Sequence, residues 1–151
     1  MQKKIIATIL ISSAVLLFGC ASVKMAPKEI DSALKNFTPP PSDKAGLYIY
    51  RNSAVGSALT KEVYVDSVLI GETANKVFFY VKISPGVHTL STESEFSENS
   101  ITFQADGGKN YFAEQYIKMG IFFGGANIEM VDEEVGMKEV LECDLADQQK
   151  F

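Results

Sequence analysis

From residue 45 onward, apolar and polar positions alternate with the period of two that marks β-strands. Gly46-Leu47-Tyr48-Ile49-Tyr50-Arg51 opens the series, with Leu47 and Ile49 on one face and Tyr48 and Tyr50 on the other. Glu62 to Val65 and Val68 to Gly71 flank Asp66-Ser67, which predicts a two-residue hairpin. That turn needs positive φ, so Ser67 stands where glycine would be easier, at about 1 kcal/mol. Val77 to Ile83 is the clearest strand, Val77, Phe79, Val81 and Ile83 opposing Phe78, Tyr80 and Lys82. Ser84-Pro85-Gly86 has type II turn chemistry and sends the chain back through Val87 to Ser94. Ile101, Phe103 and Ala105 alternate with Thr102 and Gln104; Asp106-Gly107-Gly108-Lys109 then turns into Asn110 to Lys118. Asn127 to Val131 reads as the last strand. Asp132 is placed to cap a short helix over Glu133 to Cys143, weakened by Gly136, with Val140 and Leu141 toward the sheets. Seven to eight short strands without alternating amphipathic helices predict an all-β sandwich or barrel with a short C-terminal helix.

Residues 1–44 follow another pattern. Lys3 and Lys4 precede the apolar run Ile5 to Phe18, shorter than the about 20 residues of a membrane span and suited to the core of a signal peptide. Leu17-Phe18-Gly19-Cys20 resembles the bacterial lipobox. In such precursors the cysteine thiol receives a diacylglyceryl group and becomes residue one after cleavage. The expected organisation is a lipoprotein signal peptide over 1–19, a lipid-anchored, Pro-containing tether over 20–44, the β-sandwich over 45–144 and a flexible tail over 145–151. Asp31 to Phe37 allows a brief helix, which Pro39-Pro40-Pro41 stops in favour of extended geometry. At about 3.1–3.6 Å per residue, this tether is expected to hold the domain tens of ångströms off the bilayer. Ala21 and Ser22 after the cysteine, where inner-membrane lipoproteins carry Asp, resemble the outer-membrane class and imply its periplasmic face.

Composition narrows the functions. The formal charge is −5, and loss of Lys3 and Lys4 with the leader leaves 12 basic against 19 acidic residues. Such a surface carries no footprint for nucleic acid. With Cys20 lipidated, Cys143 has no intramolecular partner, and Val140-Leu141 beside it suits a packed thiol. His88 is the only histidine, so zinc spacing is absent, and no cofactor or metal is expected.

The segments Gly46 to Arg51, Val63-Tyr64-Val65-Asp66, Ile70-Gly71-Glu72-Thr73, Val81 to Leu90 and Gly108-Lys109-Asn110-Tyr111-Phe112 together resemble a family of bacterial lipoprotein domains of unknown function. The order of elements is like that of PEGA-type modules: Tyr-x-Tyr-Arg, a V-x-V-D-G hairpin, a P-G-x-H turn and a G-K-x-Y strand. Ser67 departs from the hairpin glycine. The resemblance covers roughly residues 45–140 and implies a small Ig-like or PEGA-like β-sandwich on an anchor, with no catalytic residue.

Residue by residue, the chemistry is sparse. His88 invites a ligand role, against the bland reading of a turn histidine. Arg51 is expected to form a sheet-end salt bridge with an acid such as Asp66. Glu93, Glu95 and Glu98 lack the loop of a calcium site and read as a charged strand edge. Glu133, Glu134, Glu139 and Glu142 read as an exposed helical surface. No nucleophile elbow or phosphate loop is present, which argues against an enzyme. Ile121, Phe122 and Phe123, set between glycines, could dock a partner or continue the core across a bulge. The resulting expectation is a non-catalytic envelope module that binds a protein or cell-wall component, attached to the membrane through Cys20. The alternative is a carrier of a small apolar ligand or lipid.

Overall fold

The computed structural model describes residues 22–93, 99–119 and 124–149. The alternating segments become β1 (Ala45–Arg51), β2 (Lys61–Val65), β3 (Val68–Thr73), β4 (Val77–Ile83), β5 (Gly86–Thr92), β6 (Asn99–Ala105), β7 (Asn110–Met119) and β8 (Gly124–Val131). A two-residue β9 (Asp144–Leu145) and two helices, α1 (Lys28–Leu34) and α2 (Glu133–Leu141), complete the described elements. The strands form two sheets, ordered β8-β7-β1-β4-β9 and β3-β2-β5-β6, with no closed barrel. The fold is an all-β sandwich with a short C-terminal helix.

Leu47, Ile49, Val63, Val65, Phe79, Val81 and Leu90 fill the space between the sheets. A second apolar layer lies on the other face of the five-stranded sheet, where Tyr48, Tyr50, Phe78 and Phe112 meet Val140, Cys143 and Leu145. Every residue of β1 is therefore buried. Tyr48 stacks on Phe112 at 5.0 Å between ring centroids and donates its hydroxyl to Leu34 O at 2.9 Å. Val140 is buried as expected, but Leu141 is 55% exposed because the helix turns it away from the sheet.

The segment expected as a free tether is docked from Val23 onward. Val23 packs against the inter-sheet core, Met25 bridges Ala146, and Ala26 N donates to Leu145 O at 2.9 Å. The buried Asp31 accepts from Leu145 N and pairs with Lys35 at 3.0 Å. Helix α1 starts at Lys28 rather than Asp31, because Pro27 fixes φ at −58° just before it. The prolines lead not away from the domain but across it: Pro40 is buried, and Lys44 O accepts from Gly108 N at 2.8 Å.

The chain after Asp144, expected as a flexible tail from 145, is also built in as far as Gln149. β9 pairs in parallel with β4, the Gln148 amide bonds both Tyr80 N and Tyr80 O, and Gln149 N donates to Ile70 O. β9 and the Gln148 side chain thus cap what would otherwise be the open edge of β4, and Gln149 ties the segment to β3.

Gly136, a weak point by helix propensity, is what lets α2 approach the sheet. A Cβ there would fall inside contact distance of the Phe112 ring. Gly136→Val should therefore overpack this contact and destabilise by about 1–3 kcal/mol, more than helix propensity returns. The expected outcome is a lower urea midpoint; an unchanged midpoint would show that α2 does not need this approach.

Candidate functional site

Asp66 and His88 are brought together by the pairing of β2 with β5. Asp66 and Ser67 both take positive φ, 49° and 65°, as the two-residue hairpin requires. The turn places the Asp66 carboxylate over β5, where Oδ1 accepts from Thr89 N at 2.9 Å and Oδ2 meets His88 Nδ1 at 2.6 Å. The other ring nitrogen, Nε2, lies 2.7 Å from Ser84 O. Both nitrogens thus face acceptors, an arrangement that suits the doubly protonated ring. Burial lowers the His88 pKa, but the Asp66 bond, the Ser84 carbonyl and the Asp66 charge together outweigh it and leave it raised. His88 is a clamp between hairpin and turn, with no nitrogen left for a nucleophile.

The expected pairing of Arg51 with Asp66 does not occur. Arg51 is fully buried, donates to Leu59 O at 2.9 Å and to Gly56 O, and orders the loop between β1 and β2. Desolvation lowers its pKa. At the same end of the sandwich Gln115 bridges the sheets: it accepts from Thr73 and donates to Thr92 Oγ1 at 2.6 Å. Sequence reading missed this network because its members lie far apart in the chain and each resembles an ordinary strand residue. Glu93 pairs with Lys61 at 3.0 Å, in keeping with a charged edge; Glu95 and Glu98 lie outside the described residues.

Cys20, Ile121, Phe122 and Phe123 also lie outside the described residues. The strands flanking the last three are paired through Met119 and Gly124. Cys143 is buried, and its thiol, pushed up to about 12 mainly by burial, points at Arg51 O. Glu133, Glu134 and Glu142 are exposed, but Glu139 is half-buried and accepts from Asn52 Nδ2 at 2.7 Å. Among the described residues no three His, Cys, Asp or Glu side chains gather into a metal site. A groove of about 370 Å³ lies between β3 and the C-terminal segment, lined by Lys24, Glu62, Glu72 and Asp147 among others. Its charged rim suits polar solutes better than an apolar ligand.

A family model described as "Protein of unknown function (DUF2846)" matches residues 41–126. An uncharacterized protein of Haemophilus influenzae is 47% identical over 137 residues, covering 91% of this chain and 82% of its own length. No solved structure matches the chain. The expectation of a domain family of unknown function is met.

Because folding raises the His88 pKa, its contribution to stability is complete below the unfolded value near 6.5 and is lost as pH climbs through the folded value. Urea midpoints measured from about pH 5 to about pH 9 should fall across this range, and His88→Gln should flatten the slope. Cys143 should resist maleimide at about pH 8 in the native protein and react on unfolding; rapid native labelling would contradict its burial.

Proposed function

We infer that this chain, which belongs to the DUF2846 family of proteins of unknown function, is a lipid-anchored envelope lipoprotein on the periplasmic face of the outer membrane. It acts there as a non-catalytic module that binds an envelope protein or cell-wall component. The supporting pattern is the charge, apolar run, small residue and cysteine of residues 3–20. Two acyl chains on Cys20 would anchor stably where one would not. Among the described residues no helix is long and apolar enough to cross a membrane.

The observation that carries the reading furthest is the docking of the chain just after Cys20. Asp147 N donates to Lys24 O at 2.8 Å, and Met25 bridges Ala146. Only a few residues, spanning about 10 Å when extended, separate the anchor from this fixed chain. The domain is thereby held against the headgroups, not tens of ångströms away. Its acidic surface would not adhere to anionic lipid, so contact depends on the anchor and the outward faces stay available. The apolar residues packed between the sheets favour an interaction module over an apolar-ligand carrier. The commitment of both His88 nitrogens and the burial of Cys143 favour a non-catalytic role.

In cells, Cys20→Ala should move the protein from the membrane fraction to the soluble fraction and abolish acyl labelling. For the wild-type anchor, Met25→Trp should be quenched by brominated lipids, whereas Val87→Trp should be quenched less. Equal, negligible quenching at both positions would indicate a standoff tether. Crosslinking in intact cells should trap an envelope protein or cell-wall fragment, and that adduct should be lost with Phe122→Ser and Phe123→Ser together in the folded protein. Recovery unchanged by these substitutions would remove 121–123 as the docking surface.

A further inference from the structure

A sheet edge presents a row of backbone donors and acceptors to which another strand can add, and this molecule blunts most of its edges. β9 and Gln148 cover β4, and Ala26 N bonds β9 in turn at Leu145 O. β3 is broken by a register shift against β2, carries the exposed Glu72 and meets Gln149 at Ile70 O. At β8, Ala126 N donates to Glu93 O, Ala126 O accepts from Asn99 Nδ2, and Ile128 is buried. Among the described residues β6 has no such cover. Its seven residues, Asn99 to Ala105, contain no charge, proline or glycine and pair with β5 in unbroken register.

That register also fixes where the open groups of β6 point. Thr89 commits both backbone groups to Asp66: its O accepts from Asp66 N at 2.8 Å, and its N donates to Asp66 Oδ1 at 2.9 Å. Thr89 thus faces β2, and its pairing with Thr102 is of the kind without hydrogen bonds. The N–H and C=O of Thr102 therefore point away from β5, as do those of Ser100 and Gln104 on either side. All three residues are exposed, and among the described residues none of these groups has a backbone partner. Ile101 and Phe103, on the inner face, pack against the inter-sheet core but are only partly buried.

We propose that β6 pairs with β6 of a second copy of this chain, antiparallel about a two-fold axis at Thr102. Thr102 then faces the partner's Thr102, Ser100 faces the partner's Gln104, and Ile101 faces the partner's Phe103. Inner residues meet inner ones and outer meet outer, which a shift of one residue would destroy. Thr–Thr and aromatic–β-branched pairs are favourable across strands, and the outward groups close about six N–H···O=C bonds. Charge selects the same edge. Two copies of a chain of net charge −5 repel each other, and β6 lets them meet without opposed acids. On the other sheet, by contrast, Glu114 opposes Glu129 across β7 and β8, with Glu139 of α2 near both. A neutral strand of another protein would fill the same hydrogen bonds, but β6 supplies the matching side chains itself. A seven-residue edge is small beside the about 1,200 Å² of a stable interface, so the pairing is weak and concentration-dependent. It does not require the anchor.

The full chain in neutral detergent, with micelles in excess over protein, tests this by mild copper-phenanthroline oxidation of single-cysteine additions. Hydrogen-bonded antiparallel partners have Cα atoms about 5.5 Å apart, within reach of a disulfide. Thr102→Cys should form a covalent dimer with itself, whereas Ser100→Cys and Gln104→Cys should do so only when mixed. Glu72→Cys on the blunted edge, and the wild type with Cys20 and Cys143, should remain monomers. All four substituted positions are exposed, so these variants should fold. Thr102→Lys, added to the mixed pair, sets like charges face to face and should slow the crosslink about fivefold or more. A chain without acyl groups should give the same pattern, so failure of the anchor would leave this result standing. Monomeric Thr102→Cys, equal crosslinking of Ser100→Cys alone, or capture of a different protein by Thr102→Cys in intact cells would overturn the proposal.

Discussion

The architecture depends on one constraint: β1 has no face left for water. It lies between β4 and β7, with Leu47 and Ile49 in one apolar layer and Tyr48 and Tyr50 in the other. A sheet apolar on both sides must be covered on both sides. The four-stranded sheet covers one. The other is covered from both directions along the chain: by Leu34 and Phe37 of the N-terminal segment, and by Val140, Cys143 and Leu145 after the last long strand. What would pass for linker and tail is thus structural.

That constraint also sets how much could be read in advance. The strands, their faces and the Asp66-Ser67 hairpin were legible because alternation and turn chemistry are local. The docking of residues 23–44 was not: this segment is mostly exposed and polar, and its attachments through Asp31, Phe37 and Pro40 are single residues without periodicity. Tyr48 and Tyr50 gave no warning either, since an aromatic row opposite an aliphatic one also fits a solvated face. Arg51 misled for a related reason. A charge ending a strand suggests the surface, but here two backbone carbonyls hold it inside.

The candidate sites differ in the same way. Asp66 and His88 each belong to a recognisable turn, 22 residues apart, and only the β2–β5 register makes them a pair. Glu114 and Glu129 look like ordinary outward strand residues. Their opposition, and the presence of Tyr50 and Glu139 beside them, follows from two strand registers and a helix docking that no short window of sequence contains. Gln115, on the inner side of the same strand, shows the converse: a buried amide whose bonds to Thr73 and Thr92 align the two sheets.

The parallel pairing of β1 with β7 bears on how the molecule comes into being. Gly46 finds Asn110, and Tyr50 finds Glu114, across most of the intervening chain. Contacts between such distant stretches form late, because a large loop must close before any attraction is gained. A polypeptide emerging N-terminus first has β1 available well before β7, one of the two strands that flank it. On its β7 side, β1 therefore stays unpaired until residues 110–114 have emerged.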